Sequence, residues 1–210
     1  MNIKLLKSQK GLSLIELMIA ITLSLFIIAA MIGLFVNSKE NYRMNENMSR
    51  LQENARFAVS FLARDLRMVD YRACISAERL TNSITGVNGA DANTPDTVTL
   101  LWQSNDCTSI VTTVYSVKDG ATGTPSLFRN VNGTEQELVE GIQNLQIFYG
   151  LDTDNDDSPN FFTATPANLV QAVSVRISLV AQTLDSNLAA DGGRISRNFT
   201  STVTLRNRLP

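Results

Sequence analysis

The sequence predicts an α+β fold: one long N-terminal helix followed by an antiparallel β domain. Three observations carry this. An apolar run extends from Leu12 to Val36, with Glu16 as its only ionisable side chain. Beyond it, apolar residues recur at spacings of three and four as far as Val69, the period of an amphipathic helix. From Val98 onward the pattern changes to alternation, broken by Asp-Gly, Asn-Gly and Gly-Gly pairs. Strands joined by tight turns make antiparallel sheet, and a long helix followed by such strands is an α+β arrangement.

The apolar run is 25 residues, about 37 Å as a helix, and so can cross a hydrocarbon core of about 30 Å. Lys4, Lys7 and Lys10 precede it. By the positive-inside rule they keep the N-terminus in the cytoplasm, which places the body outside the inner membrane. The chain then stays polar on average, so a single span is expected. This divides the 210 residues into a leader (1–11), a membrane-spanning half-helix (12–36), an amphipathic half-helix (37–72) and a β domain (73–210).

In the amphipathic half, Met48, Leu51, Ala55, Ala58, Leu62, Leu66 and Val69 form one apolar stripe. Phe57 and Phe61 add a second edge at i, i+4, and Glu46 stands four residues before Arg50 in the favourable order for a helix pair. Together the two halves predict one helix from Leu12 to about Tyr71. Gly33 is its weak point, either tolerated at about 1 kcal/mol against Ala or the site of a bend or local melting. Residues 73–95, rich in Asn and Gly, read as loop. Strands are expected at Val98–Trp102, Ile110–Val117, Leu127–Val131, Glu135–Val139, Ile142–Tyr149, Val173–Leu179 and Phe199–Leu205. Asn132-Gly133 predicts a type I′ hairpin between the third and fourth.

Composition excludes several functions. Net charge is −2, and without the leader 15 basic residues stand against 20 acidic ones, so no basic patch for nucleic acid is expected. There is no histidine, hence no Ser-His-Asp or Cys-His arrangement and no His-based metal site. No phosphate-binding glycine loop is present. Catalysis is therefore not expected. Cys74 and Cys107 are either two buried thiols or a disulfide; an exported body favours the disulfide. Asp152, Asp154 and Asp156 alternate as calcium ligands do. An EF-hand loop, however, needs Gly where Asp157 stands and Glu where Thr163 stands, so a polar turn is the plainer reading and no cofactor is expected. Glu16 is the remaining anomaly. A carboxylate inside a membrane-length apolar helix is expensive unless it is used, although a position near the helix N-terminus favours it through the dipole and headgroup water.

Gly11-Leu12-Ser13-Leu14-Ile15-Glu16 resembles the leader junction of type IV pilins and of the related type II secretion pseudopilins. Leu12 stands where most members carry Phe, and Ser13 where many carry Thr. The resemblance implies cleavage between Gly11 and Leu12 by a prepilin peptidase and N-methylation of Leu12. It also implies that Glu16 meets the freed amine of Leu12 on a neighbouring subunit. The run from Arg50 through Arg67 to Tyr71 and Cys74 resembles PilW-type minor pilins, as do Leu138–Gly141 and Tyr149-Gly150. That implies a type IV pilin-like fold and a place in the complex that primes pilus assembly and sits at the pilus tip. The partners would be other minor pilins, the major pilin and an inner-membrane assembly platform. Two alternatives remain on sequence: a J-type pseudopilin of type II secretion, and a single-span membrane protein with a periplasmic binding domain.

Overall fold

The computed structural model describes residues 11, 13–74, 80, 82–189 and 191–209. The leader as far as Lys10, and Leu12, on which the cleavage and methylation readings fall, lie outside the described residues. The chain divides into two units, 1–46 and 47–210. One helix, α1 (Leu14–Met68), contributes to both and passes through Gly33 without interruption. It begins where the amides of Glu16 and Leu17 donate to the Ser13 carbonyl at 3.0 and 3.1 Å.

In the first unit, from Leu14 to Val36, α1 is apolar on every side apart from Glu16. Leu14, Phe26 and Leu34 are 77%, 78% and 71% exposed. An 18-residue window has a mean hydropathy of 2.7 and none of it is buried within the chain. Its few hydroxyls are satisfied locally. Thr22 Oγ1 donates to the Ile19 carbonyl at 2.9 Å and Ser24 Oγ to the Ala20 carbonyl at 2.7 Å, so neither would stand unpaired in lipid.

In the second unit the predicted stripe is the buried one. Leu51, Ala55, Ala58, Leu62, Leu66 and Val69 are all buried, with Met48 at the margin. The expected second edge is not buried: Phe57 is 45% exposed and stacks on Phe61, ring centroids 4.4 Å apart. The helix stops at Met68, three residues short of the expected end, because Asp70 takes a left-handed φ of 60°. Asn207 Nδ2 then donates to the free carbonyls of Arg67 and Val69 at 2.9 and 3.1 Å, satisfying helix-end groups that have no intrahelical partner.

Among the described residues, nine strands form two antiparallel sheets. The first is a meander of β1 (Ile84–Val87), β2 (Thr97–Gln103), β3 (Ile110–Asp119), β4 (Pro125–Val131) and β5 (Thr134–Glu140). The second contains β6 (Ile142–Leu151), β7 (Phe161–Thr163), β8 (Ala172–Gln182) and β9 (Ser196–Thr204), in the order β7-β6-β8-β9. The β4–β5 turn has positive φ at both Asn132 (51°) and Gly133 (88°), as a type I′ hairpin requires. The alternation in β8 buries Val175, Ile177 and Leu179 as expected.

Two strands depart from the sequence reading. β1 lies inside the expected loop 73–95, and its pattern is weakened by Gly86. A Cβ there would collide with the Tyr149 hydroxyl, so close approach of another side chain excludes anything larger. β7 has only three residues, too few for alternation to register. The chain changes sheets at Gly141. Its amide donates to Pro125 of the first sheet at 2.9 Å, and its carbonyl accepts from Gln182 of the second at 2.7 Å. A φ of 77° and the Gln182 oxygen only 2.8 Å from where a Cβ would stand restrict the position to glycine.

One core joins the elements of this unit. It includes Leu62 and Leu66 of α1, Leu100, Tyr115 and Leu127 of the first sheet, and Leu145, Ile177 and Leu179 of the second. Buried polar groups tie the pieces together. Asp96 accepts from the amides of Gly89 (2.8 Å) and Ile147 (2.7 Å). Arg208 donates to the Leu169 and Ala172 carbonyls at 2.6 and 3.1 Å and to Ser83 Oγ at 3.0 Å.

Candidate functional site

Glu16 lies in the first turn of α1, on a surface otherwise made of Leu14, Ile15, Leu17, Met18 and Ile19, all more than half exposed. Between Leu14 and Ser38 it is the only charged side chain. Among the described residues no hydrogen bond or ion pair reaches its carboxylate. Helix amides at the N-terminus favour a negative charge there, but they do not neutralise one placed among apolar helices. Gly11, five residues earlier, is exposed, has no positive φ, and would meet nothing within 4 Å if it carried a Cβ. Among the described residues, nothing in packing calls for glycine at that position.

Far along the same helix stands Asp65, which sequence reasoning passed over. It sits three residues after Leu62 and four before Val69, on the buried stripe itself, and a charge in that phase was the available signal. Its Oδ2 accepts from the Tyr115 hydroxyl and from Arg129 Nε, each at 2.7 Å, and its Oδ1 accepts from Arg64 Nε at 3.1 Å. Arg129 also donates to the Tyr115 oxygen at 3.2 Å. Burial, then the hydrogen bond to Asp65, pushes the Tyr115 phenol well above its ordinary range. This network locks α1 to β3 and β4 and leaves no oxygen of Asp65 unengaged.

Cys74 and Cys107 are joined, with Cα atoms 5.9 Å apart. The bond ties the segment after α1 to the β2–β3 turn. Gln103 braces both ends: its Oε1 accepts from the Ala73 amide, and its Nε2 donates to the Cys107 carbonyl, each at 3.0 Å. The turn itself is held by Asp106, which accepts from the amides of Thr108 and Ser109 and from Ser109 Oγ. Those bonds hold its carboxyl down at about 2.

Asp152, Asp154 and Asp156 do come together, their carboxylate oxygens within 4.8 Å of one another. Asp152 is buried and both its oxygens are engaged, Oδ1 by the Asn155 amide at 2.7 Å and Oδ2 by the Asp157 amide at 3.0 Å. Burial raises the pKa of that carboxyl, but the amides of Asp157 and Asn155 outweigh it and hold it below the usual value. Asp154 and Asp156 are exposed. The arrangement is a loop organised by one carboxylate, and it carries no metal assignment.

Two family models match the chain. Residues 114–191 match the model described as type IV pilus-assembly protein W, and residues 6–32 match the prokaryotic N-terminal methylation motif. The first match covers β3 to β8, including Gly141, where the chain changes sheets. It leaves out Arg50–Cys74, the run on which the resemblance to minor pilins rested most. No curated protein matches. The architecture is pilin-like, and the two matches are consistent with a PilW-type minor pilin. Both families are structural pilus components, and the N-terminal apolar helix is consistent with membrane anchoring.

Proposed function

We propose that this chain is a minor pilin of a type IV pilus, acting by subunit packing in the complex that primes assembly and sits at the tip. The observation that carries the proposal is the Glu16 carboxylate. Among the described residues it has no partner, and it lies in an otherwise apolar half-helix, inside the matched N-terminal methylation motif. A prepilin peptidase cuts between Gly11 and Leu12 and methylates the new amine. A glycine that packs against nothing among the described residues fits a residue read by such an enzyme. The subunit waits as a single-pass inner-membrane protein with its body in the periplasm. Leaving the membrane, it packs its apolar half-helix among those of other minor pilins and the major pilin, on an inner-membrane assembly platform. Glu16 then pairs with the Leu12 amine of a neighbour. An unpaired charge among apolar helices is costly and an opposite charge offsets much of that cost, so the pair selects the axial register.

A deletion strain tests the proposal. Loss of surface pili and twitching with normal exoprotein secretion is expected. Normal piliation with failed secretion would assign the chain to type II secretion instead. Mass spectrometry of the N-terminus should find a methylated Leu12. An intact Met1 in the membrane fraction would leave a single-span protein with a periplasmic binding domain.

A further inference from the structure

The four sheet edges are not alike. β1 has four residues and β7 three. β5 carries Glu135, Glu137 and Glu140. Short length and charge are the usual means of blunting an edge against pairing. β9 is longer than β1 and β7, and Arg197 is its one charge. It runs nine residues, Ser196–Thr204, with no Pro, Lys, Asp or Glu, and pairs with β8 in unbroken register from Ser174↔Thr204 to Gln182↔Ser196. Its other side meets no strand among the described residues. Nine extended residues present about 30 Å of backbone, with amides and carbonyls alternating toward solvent.

A groove of about 670 Å³ runs along that edge. Its helix wall comprises residues of α1 spaced three and four apart, among them Met48, Arg56 and Val59. Its strand wall is the five consecutive residues 197–201, including Arg197 and Phe199. Consecutive residues bring side chains from both faces of β9, which is how a groove meets the edge of a strand and not its face. Among the described residues, neither the Arg56 nor the Arg197 guanidinium has a carboxylate partner, and both side chains are exposed.

We infer that this groove receives an extended segment of another protein, which adds to β9 as a tenth strand. The edge supplies backbone hydrogen bonds, and the groove sets the side-chain preference. Apolar side chains at alternate positions fit Met48, Val59 and Phe199, and a carboxylate fits between Arg56 and Arg197. This goes beyond the pilus-assembly reading and does not depend on it, since an open edge pairs with a strand whatever the larger complex.

The test uses the full chain in detergent micelles and three fluorescein-labelled nonapeptides, with binding to empty micelles subtracted. The first is TVEVTVEVT, the second has Lys for Glu, and the third is the first N-methylated at alternate backbone amides. By anisotropy the first should bind at least tenfold more tightly than the other two, and it should slow amide exchange across residues 197–203. The double variant Arg56→Glu, Arg197→Glu changes only exposed side chains and should keep the circular dichroism spectrum while reversing the preference to the Lys peptide. No binding of the first peptide, or equal binding of all three, overturns the inference. A concentration-dependent dimer abolished by the double variant overturns it too, and gives the edge to a second copy of the chain.

Discussion

Glu16 and Asp65 are two carboxylates on one helix, both among apolar neighbours, and the chain treats them in opposite ways. Asp65 is met from three sides by Arg64, Tyr115 and Arg129, all within 3.1 Å. Glu16 meets nothing among the described residues, and its neighbours Leu14 and Met18 are 77% and 61% exposed. A buried charge is tolerable where partners are built around it, and Asp65 shows that this fold can build them. Among the described residues Glu16 is bare, and on the proposed function its partner is supplied by another molecule. On that proposal Asp65 is a folding group and Glu16 an assembly group, and substitutions should separate the two.

The largest effect is expected at Asp65. Asp65→Ala leaves the Arg129 guanidinium and the Tyr115 hydroxyl without their acceptor, and breaking such a buried pair costs about 3–5 kcal/mol. Urea unfolding of the full chain in detergent measures it, and a loss under about 1 kcal/mol would put Asp65 in the same class as Glu16. The next effect is the disulfide. Cys74→Ser with Cys107→Ser opens a loop with a sequence separation of 33, worth about 3–4 kcal/mol. The same unfolding assay, run with and without reductant, should show that wild type loses that stability on reduction and the double variant does not.

Gly141→Ala follows, at about 1–3 kcal/mol, because alanine resists a φ of 77° and its Cβ would press on the Gln182 carbonyl. The loss should appear in the midpoint of unfolding and disrupt the passage between the sheets, while Gly11→Ala should leave unfolding unchanged. Alkali produces a smaller effect. Tyr115 and Tyr149 are both raised from 10, Tyr149 to about 12, in each case chiefly by burial. The unfolded chain therefore loses these protons first. The stability they contribute is fully present below pH 10 and falls as pH rises above it. Tyr115→Phe should flatten that fall in a pH series of thermal midpoints.

The sequence reading went furthest where the physics is local. The α1 stripe, the Asn132-Gly133 hairpin and the alternation of β8 are each settled by neighbours within a few residues, and each is where the pattern placed it. It failed where distant residues decide. β1 was hidden because Gly86 answers to Tyr149, and the sheet change at Gly141 depends on partners 16 residues before and 41 after it. Asp65 was passed over because its partners Tyr115 and Arg129 lie 50 and 64 residues away. The Asp152 loop was ambiguous for a related reason: alternating carboxylates look alike whether they hold a cation or their own backbone. Glu16 was legible from the start because it is the only ionisable side chain in the run from Leu12 to Val36.

The smallest effect on folding is expected at Glu16, and it is the one that completes the comparison. Its carboxylate holds no other group of the chain in place. Glu16→Ala should therefore leave the urea midpoint unchanged, within a few tenths of a kcal/mol as for surface substitutions. Cleavage after Gly11 should also proceed, since the glycine is untouched. Yet surface pili counted by electron microscopy should fall steeply, because the neighbour's amine would be left without its counter-charge among apolar helices. A shift of the midpoint by more than about 1 kcal/mol would mean that Glu16 has a folding role after all. Unchanged piliation would mean that register is set by the apolar side chains alone, and the contrast with Asp65 would then reduce to one of burial.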